Sequence, residues 1–228
     1  SSTGGGATGS SPAPVSDTGH PVGSAQLVTD GAPLTATWTR FNGNFDIVQA
    51  SSSTDGGLTW STPVNISENG GDATGPTIVS DGNTISVIWS RHDGTGRDFE
   101  IQSTSSTDGG SSWSAPVTLS ETATETASPR LVTDGTTLTA VWLRRDASQF
   151  LVRTSSSTDG GTTWSTPVAL SEEGQPAGGA RLVTDGTTIT AAWYGYDGSH
   201  YRVRTSSSTD GGDTWSSSAT LSDAGQNA

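Results

Sequence analysis

Arginine, aspartate and aromatic residues recur in this chain at fixed offsets where they could do chemistry. An arginine stands two residues after a tryptophan at Arg40, Arg91 and Arg144, and an aspartate four residues after one at Asp93, Asp146 and Asp197. The stretches read Thr39-Arg40-Phe41-Asn42, Ser90-Arg91-His92-Asp93, Leu143-Arg144-Arg145-Asp146 and Tyr194-Gly195-Tyr196-Asp197. Guanidinium forks grip oxygen acceptors, carboxylates accept from hydroxyls, and aromatic rings offer flat platforms. The candidate ligand-binding residues are therefore Arg40, Arg91, His92, Asp93, Arg144, Arg145, Asp146, Tyr194, Tyr196 and Asp197, a set suited to acidic or neutral glycans. A plainer reading stands beside this one. Asp93-Gly94 and Asp197-Gly198 can be simple turns, and the arginines can lie over neighbouring tryptophans.

A second set of acids is in strict register. Asp55, Asp108, Asp159 and Asp210 are 53, 51 and 51 residues apart, each within an octamer such as Ser157-Thr158-Asp159-Gly160-Gly161-Thr162-Thr163-Trp164. Such a carboxylate can accept backbone N–H bonds and lock its turn, while the glycines permit the turn's dihedral angles and the tryptophan packs between sheets. Asp55, Trp60, Asp108, Trp113, Asp159, Trp164, Asp210 and Trp215 are therefore read as structural. No metal is expected, since too few ligands cluster for calcium, and His20, His92 and His200 lack metal-ligand spacing. No cofactor is expected.

The elements that position these residues repeat with the same period of about 51 residues, which signals an array of supersecondary units. A first strand at Gln26 to Thr29, Thr77 to Ser80, Arg130 to Thr133 and Arg181 to Thr184 ends in an Asp-Gly turn each time. An alternating second strand follows and ends in tryptophan: Leu34 to Trp38, Ile85 to Trp89, Leu138 to Trp142 and Ile189 to Trp193. After a loop of about seven residues comes a third strand, including Phe99 to Ser103, Phe150 to Thr154 and Tyr201 to Thr205, which runs into the octamer. The fourth strand covers Pro63 to Ile66, Pro116 to Leu119, Pro167 to Leu170 and Ala219 to Leu221. Its proline suits an outer edge. Four short antiparallel strands per repeat describe a β-propeller blade, with a solenoid of strands as the alternative architecture.

The expected class is all-β: a propeller of four-stranded antiparallel blades over 20–70, 71–123, 124–174 and 175–228. Residues 1–19 read as a decayed octamer, Ser1 to Gly9, followed by an outer strand, Pro12 to Ser16, of an incomplete blade. On that reading outer strands outnumber inner sets by one, and ordinary ring closure is not expected. The unmatched strand offers an edge for self-association.

Composition narrows the partners. With ten Arg, no Lys and a net charge of −13, the chain would be repelled by phosphate backbones and anionic membranes. No apolar run is long enough to span a membrane. The absence of Met, position 1 included, reads as a mature or excised product. A surface rich in Ser, Thr, Gly and Asp suggests an extracellular or cell-surface setting. Asn65-Ile66-Ser67 is a formal glycosylation sequon. Glu172-Glu173 and Ser67 to Asp72 read as solvated acidic surface.

The Ser-x-Asp-x-Gly-x-Thr-Trp octamer resembles the Asp box of sialidase-like (BNR) repeats; three copies match fully and the second has Ser112 for Thr. The resemblance implies a propeller of sialidase-like blades, commonly six to a ring, with the ligand face opposite the boxes. It also implies catalysis by an arginine triad, a Tyr nucleophile assisted by Glu, and an Asp acid/base. Here the Arg-Ile-Pro signature is missing; the nearest string is Ser128-Pro129-Arg130-Leu131. No Glu has a motif placing it beside Tyr194 or Tyr196. The expected function is thus a non-catalytic propeller binding glycans or proteins. A self-assembling surface repeat and a sialidase-like hydrolase fragment are the alternatives, and a glycosidase using paired carboxylates such as Asp93 and Asp146 stays open.

Overall fold

A computed structural model describes residues 14–16, 19–29, 33–92, 99–121, 125–146 and 148–222. The octamer-like Ser1 to Gly9, Pro12, Asp30-Gly31 and Asp93 lie outside them. Pro14 to Ser16 carry no strand.

Sixteen strands form four antiparallel sheets. The first holds β1 (Val22–Val28), β2 (Leu34–Phe41), β3 (Asp46–Ser53) and β4 (Val64–Asn65). The second holds β5 (Ala73–Ser80), β6 (Ile85–His92), β7 (Phe99–Ser106) and β8 (Val117–Thr118). The third holds β9 (Thr126–Thr133), β10 (Leu138–Asp146), β11 (Gln149–Ser157) and β12 (Val168–Ala169). The fourth holds β13 (Ala177–Thr184), β14 (Ile189–Tyr196), β15 (Tyr201–Ser208) and β16 (Ala219–Thr220). Spatial order follows chain order within each sheet, and no helix occurs among the described residues. The all-β blade architecture read from the repeat is the one found.

The strand limits differ in instructive ways. Each first strand starts at least four residues earlier than its apolar run, because a bulge joins two short pieces. The register against the second strand slips between Gly23 and Gln26, Thr74 and Thr77, Val141 and Leu143, and Gly178 and Arg181. Ser24 and Ser128 take φ of +52° and +55° there, and Gly75 and Gly179 do the same with +61° and +63°. A bulge tolerates proline and left-handed backbone, so Pro76 and Pro129 do not interrupt the strand. The second strands run on past their tryptophans, which shortens the following loops. The fourth strands shrink to two residues; in the first three blades the preceding proline has no N–H for the ladder, while β16, preceded by Ser218, is equally short.

Sheets stack front to back. The back of the first sheet, through Val48 and Ala50, meets Ala73, Ile78, Val87 and Trp89 on the front of the second. Ile88 and Ile101 meet Leu131, Leu138, Ala140 and Trp142 in the next junction, and Val141 and Val152 meet Ala177, Ala180, Ala191 and Trp193 in the last. Trp89, Trp142 and Trp193 are buried almost completely. Each wide indole supplies apolar area that the small Ala, Ser and Thr neighbours cannot. Adjacent first strands, β1 with β5, β5 with β9 and β9 with β13, pack against one another and form the inner wall.

Candidate functional site

The octamers and the first-to-second-strand turns share one end of the blades; the hairpins between second and third strands occupy the other. At the box end each carboxylate is fully used. Asp55 accepts from Ser53 Oγ at 2.7 Å, from the N–H of Leu58 and Thr59, and from Thr59 Oγ1 at 2.6 Å. Asp108, Asp159 and Asp210 repeat the pattern with Ser112, Thr163 and Thr214. Hydroxyl donation, then backbone donation, holds Asp108 and Asp210 at about 2 and lowers Asp55 and Asp159 as well. The tryptophan closing each box reaches back one blade. Trp113, Trp164 and Trp215 pack on the three junction cores, and Trp164 Nε1 donates to Ser103 Oγ of the preceding sheet at 3.0 Å.

The box glycines touch the preceding blade too. A Cβ on Gly110 would stand 2.2 Å from Ser52 Oγ, and one on Gly211 would stand 2.8 Å from Thr137 Oγ1. Thr139 Oγ1 donates to the Gly211 carbonyl at 3.0 Å. The box is therefore a clasp between blades as well as a turn.

At the hairpin end, period-2 alternation splits the candidate residues between two faces. The arginine two after tryptophan shares the front face with the indole. Arg91 there lies 3.8 Å from Glu68, and Arg144 lies 3.6 Å from Glu121; both acids come from the preceding inter-blade connection. The fourth blade has Gly195 at this position. A Cβ there would be 3.4 Å from Arg204 Nε, and Arg204, arriving from β15, pairs with Glu172 at 3.4 Å. Arg153 similarly faces Glu173 at 3.9 Å. The guanidinium groups of Arg91, Arg144 and Arg204 are half-buried struts between blades, Arg153 pairs within its own blade, and Arg40 is half-buried at the place equivalent to Arg91 in the first.

The next residue falls on the back face and in the last three blades meets an aromatic across the hairpin. Phe41 pairs with Asp46, His92 with Phe99, Arg145 with Phe150 and Tyr196 with Tyr201. His92 and Phe99 meet edge to face at 5.1 Å, and Arg145 lies over the Phe150 ring at 5.8 Å while bonding Glu125 at 2.9 Å. Asp146 is exposed at the end of β10. Asp197 locks its own turn, accepting from His200 N–H, Ser199 Oγ and Arg202 Nε, which hold its carboxyl far below the usual range.

The candidates therefore form no single ring: Arg91 and Arg144 are drawn into the junctions, while His92, Arg145, Tyr194 and Tyr196 share back faces. Sequence reasoning missed the glutamate partners, although a constant spacing carries them. Glu68 precedes Arg91, Glu121 precedes Arg144 and Glu172 precedes Gly195 by the same 23 residues. It also missed the two inner-wall arginines, Arg130 and Arg181, which are the described arginines with neither an ion pair nor a further electrostatic partner of opposite charge. Burial, with the nearby Arg181 charge, lowers Arg130.

No family model and no curated protein matches the chain. Solved structures do. The chain is similar to Trypanosoma rangeli sialidase at 18% identity with a TM-score of 0.60, covering 86% of this chain and 38% of that one. It is also similar to the NanB sialidase of Streptococcus pneumoniae at 12% identity with a TM-score of 0.58, covering 88% of this chain and 51% of that one. The chain thus has the sialidase-like β-propeller fold and spans well under half the length of the first of these enzymes. At this identity the likeness speaks to fold alone.

Proposed function

We propose that this chain is a non-catalytic, extracellular or cell-surface propeller module that binds glycans or proteins at the hairpin end of its blades. One observation carries the reading: each blade repeats the same box at one end, yet closes the opposite hairpin with a different aromatic-containing pair. These are Phe41 with Asp46, His92 with Phe99, Arg145 with Phe150 and Tyr196 with Tyr201. A constant scaffold end and a divergent, aromatic-bearing end are what a recognition module needs. The net charge of −13 argues against nucleic acid as partner.

Likeness to solved sialidases supports a sialidase-like hydrolase as the second reading. Against it stand the engaged carboxylate of Asp197 and the half-buried, ion-paired Arg91 and Arg144. A glycan array combined with a panel of fluorogenic glycosides separates the two. Binding without turnover is the expected result; turnover would favour the hydrolase, and neither would remove both.

A further inference from the structure

The indole N–H of each second-strand tryptophan, Trp38, Trp89, Trp142 and Trp193, is buried and has no hydrogen-bond partner among the described residues. In the first three blades the residue two positions on is an arginine, whose side chain starts on the indole's side of the sheet. The fourth blade has Gly195 there, and a Cβ on Gly195 would stand only 3.4 Å from Trp193 Nε1. This junction lies between the third and fourth sheets and is covered from both sides, so that Trp193 is 2% exposed.

Protein atoms fill only part of the space beside Gly195. Arg204, opposite Trp193 on β15, reaches over it, with Cδ 3.3 Å from that Cβ position. A small cavity remains, walled by Trp193, Gly195, Arg204, Ser171, Glu172 and Gln175. It offers the centre of a water-sized sphere about 10 Å³ of room, enough for one water and too little for a larger ligand. Its walls are polar. Trp193 brings an unused N–H, and Ser171 Oγ, which accepts from the Val152 N–H at 2.9 Å, keeps its own proton to donate. Glu172, 3.4 Å from Arg204, has acceptor lone pairs beyond that one contact.

We infer that this cavity is a binding site for a single water molecule, which accepts from Trp193 Nε1 and donates to Glu172. Cavities that stay empty are lined by apolar groups, whereas one of this size with several polar partners holds water. A buried N–H left unmade bears its full desolvation cost, and one bridging water removes it. A chloride ion could accept from the same indole, but it cannot donate and would face the Glu172 carboxylate. Water does both. It thereby takes the part that Arg144 plays one junction earlier, where the guanidinium faces Glu121 at the place equivalent to Glu172. The same connection carries Pro176, whose carbonyl accepts from the Tyr196 N–H at 2.8 Å. The water therefore helps to fix the segment on which the fourth hairpin is anchored.

The test is a crystal structure of the whole chain at a resolution that shows ordered waters, grown with bromide in place of chloride. The expected result is one peak within hydrogen-bond distance of Trp193 Nε1 and of Glu172 or Ser171, with no anomalous signal at the bromine edge. An anomalous peak overturns the inference in favour of a halide, and the absence of any peak overturns it in favour of a dry cavity. Gly195→Ala, whose methyl group takes the same space, removes the peak; a peak that persists unmoved beside that methyl group overturns the inference too. Solution NMR supplies a readout that needs neither crystal nor variant. The Trp193 indole N–H, assigned through its own backbone, shows an NOE to a long-lived water in the wild-type chain, and its absence overturns the site.

Discussion

The two ends of each blade solve different problems with similar residues. At the box end, serine, threonine, aspartate and glycine form a turn whose side chains bond inward and whose backbone presses against the preceding blade at Ser52, Thr137 and Thr139. At the hairpin end, the same kind of turn around Asp197 bonds within its own hairpin, to Ser199, His200 and Arg202. A Cβ on Gly198 would meet nothing within 4 Å, whereas one on Gly110 would strike its neighbour. One end is constrained by another blade and repeats unchanged. The other meets its neighbours through contacts that differ from blade to blade, Asp46 N–H donating to Asp72 Oδ1 at one junction and Thr126 Oγ1 to the Phe99 carbonyl at the next, and has diverged.

The largest test of that contrast is a pair of glycine substitutions. Gly110→Ala should cost about 3 kcal/mol, because left-handed backbone and an inter-blade clash act together, while Gly198→Ala should cost about 1 kcal/mol from backbone alone. Urea midpoints at unchanged slope measure both. Equal losses would show that the box does not clasp its neighbour.

Next comes Trp164→Phe, which keeps an aromatic ring in the junction but removes the N–H bonded to Ser103 Oγ. A loss of about 1–2 kcal/mol is expected from the bond and the smaller ring together. Ser103→Ala in the Trp164→Phe background should then add little, which a double-mutant cycle reads directly.

Acid should act on the boxes as a set. Their folded pKa values lie below the ordinary aspartate value of about 3.9, at about 2 for Asp108 and Asp210. A depressed carboxylate stabilises the fold fully above the unfolded pKa and loses that contribution as pH falls through the folded one. Tryptophan fluorescence should therefore hold down to about pH 4 and change between about pH 4 and 2. A transition centred well above pH 4 would point to groups other than the boxes.

The smallest effect belongs to the inter-blade struts. Glu68→Gln should cost less than about 1 kcal/mol, since Glu68 is well exposed and 3.8 Å from Arg91. A high-salt titration that leaves the wild-type midpoint unmoved would agree.

Much of this arrangement was legible in the chain. The period, the strand order and the internal bonding of the box follow from residues that can do little else: a carboxylate flanked by Ser, Gly-Gly and Thr-Trp has donors on every side. What the sequence concealed was relational. Alternation already places Arg91 on the face of Trp89 and His92 on the opposite face, but nothing local says which face meets which neighbour. That depends on how sheets stack, so Arg91 and Arg144 read as free ligand groups until Glu68 and Glu121 were brought beside them. The bulges were hidden for a different reason. Gly75-Pro76 and Ser128-Pro129 look like strand ends, and only an inner strand without a partner on its axial side can carry them through.

The two-residue outer strands have a consequence for the chain's behaviour at high concentration. A protein this rich in β-structure, Ser and Thr, with a thin apolar core, would be prone to fibre growth if its sheets ended in long, straight borders. Here β4, β8, β12 and β16 each offer only two residues before the chain turns away, next to Pro63, Pro116 and Pro167 in the first three blades. A foreign strand arriving at the perimeter finds too few consecutive donors and acceptors to hold it. The perimeter is in effect quiet, which lets the protein be concentrated without its sheets fusing.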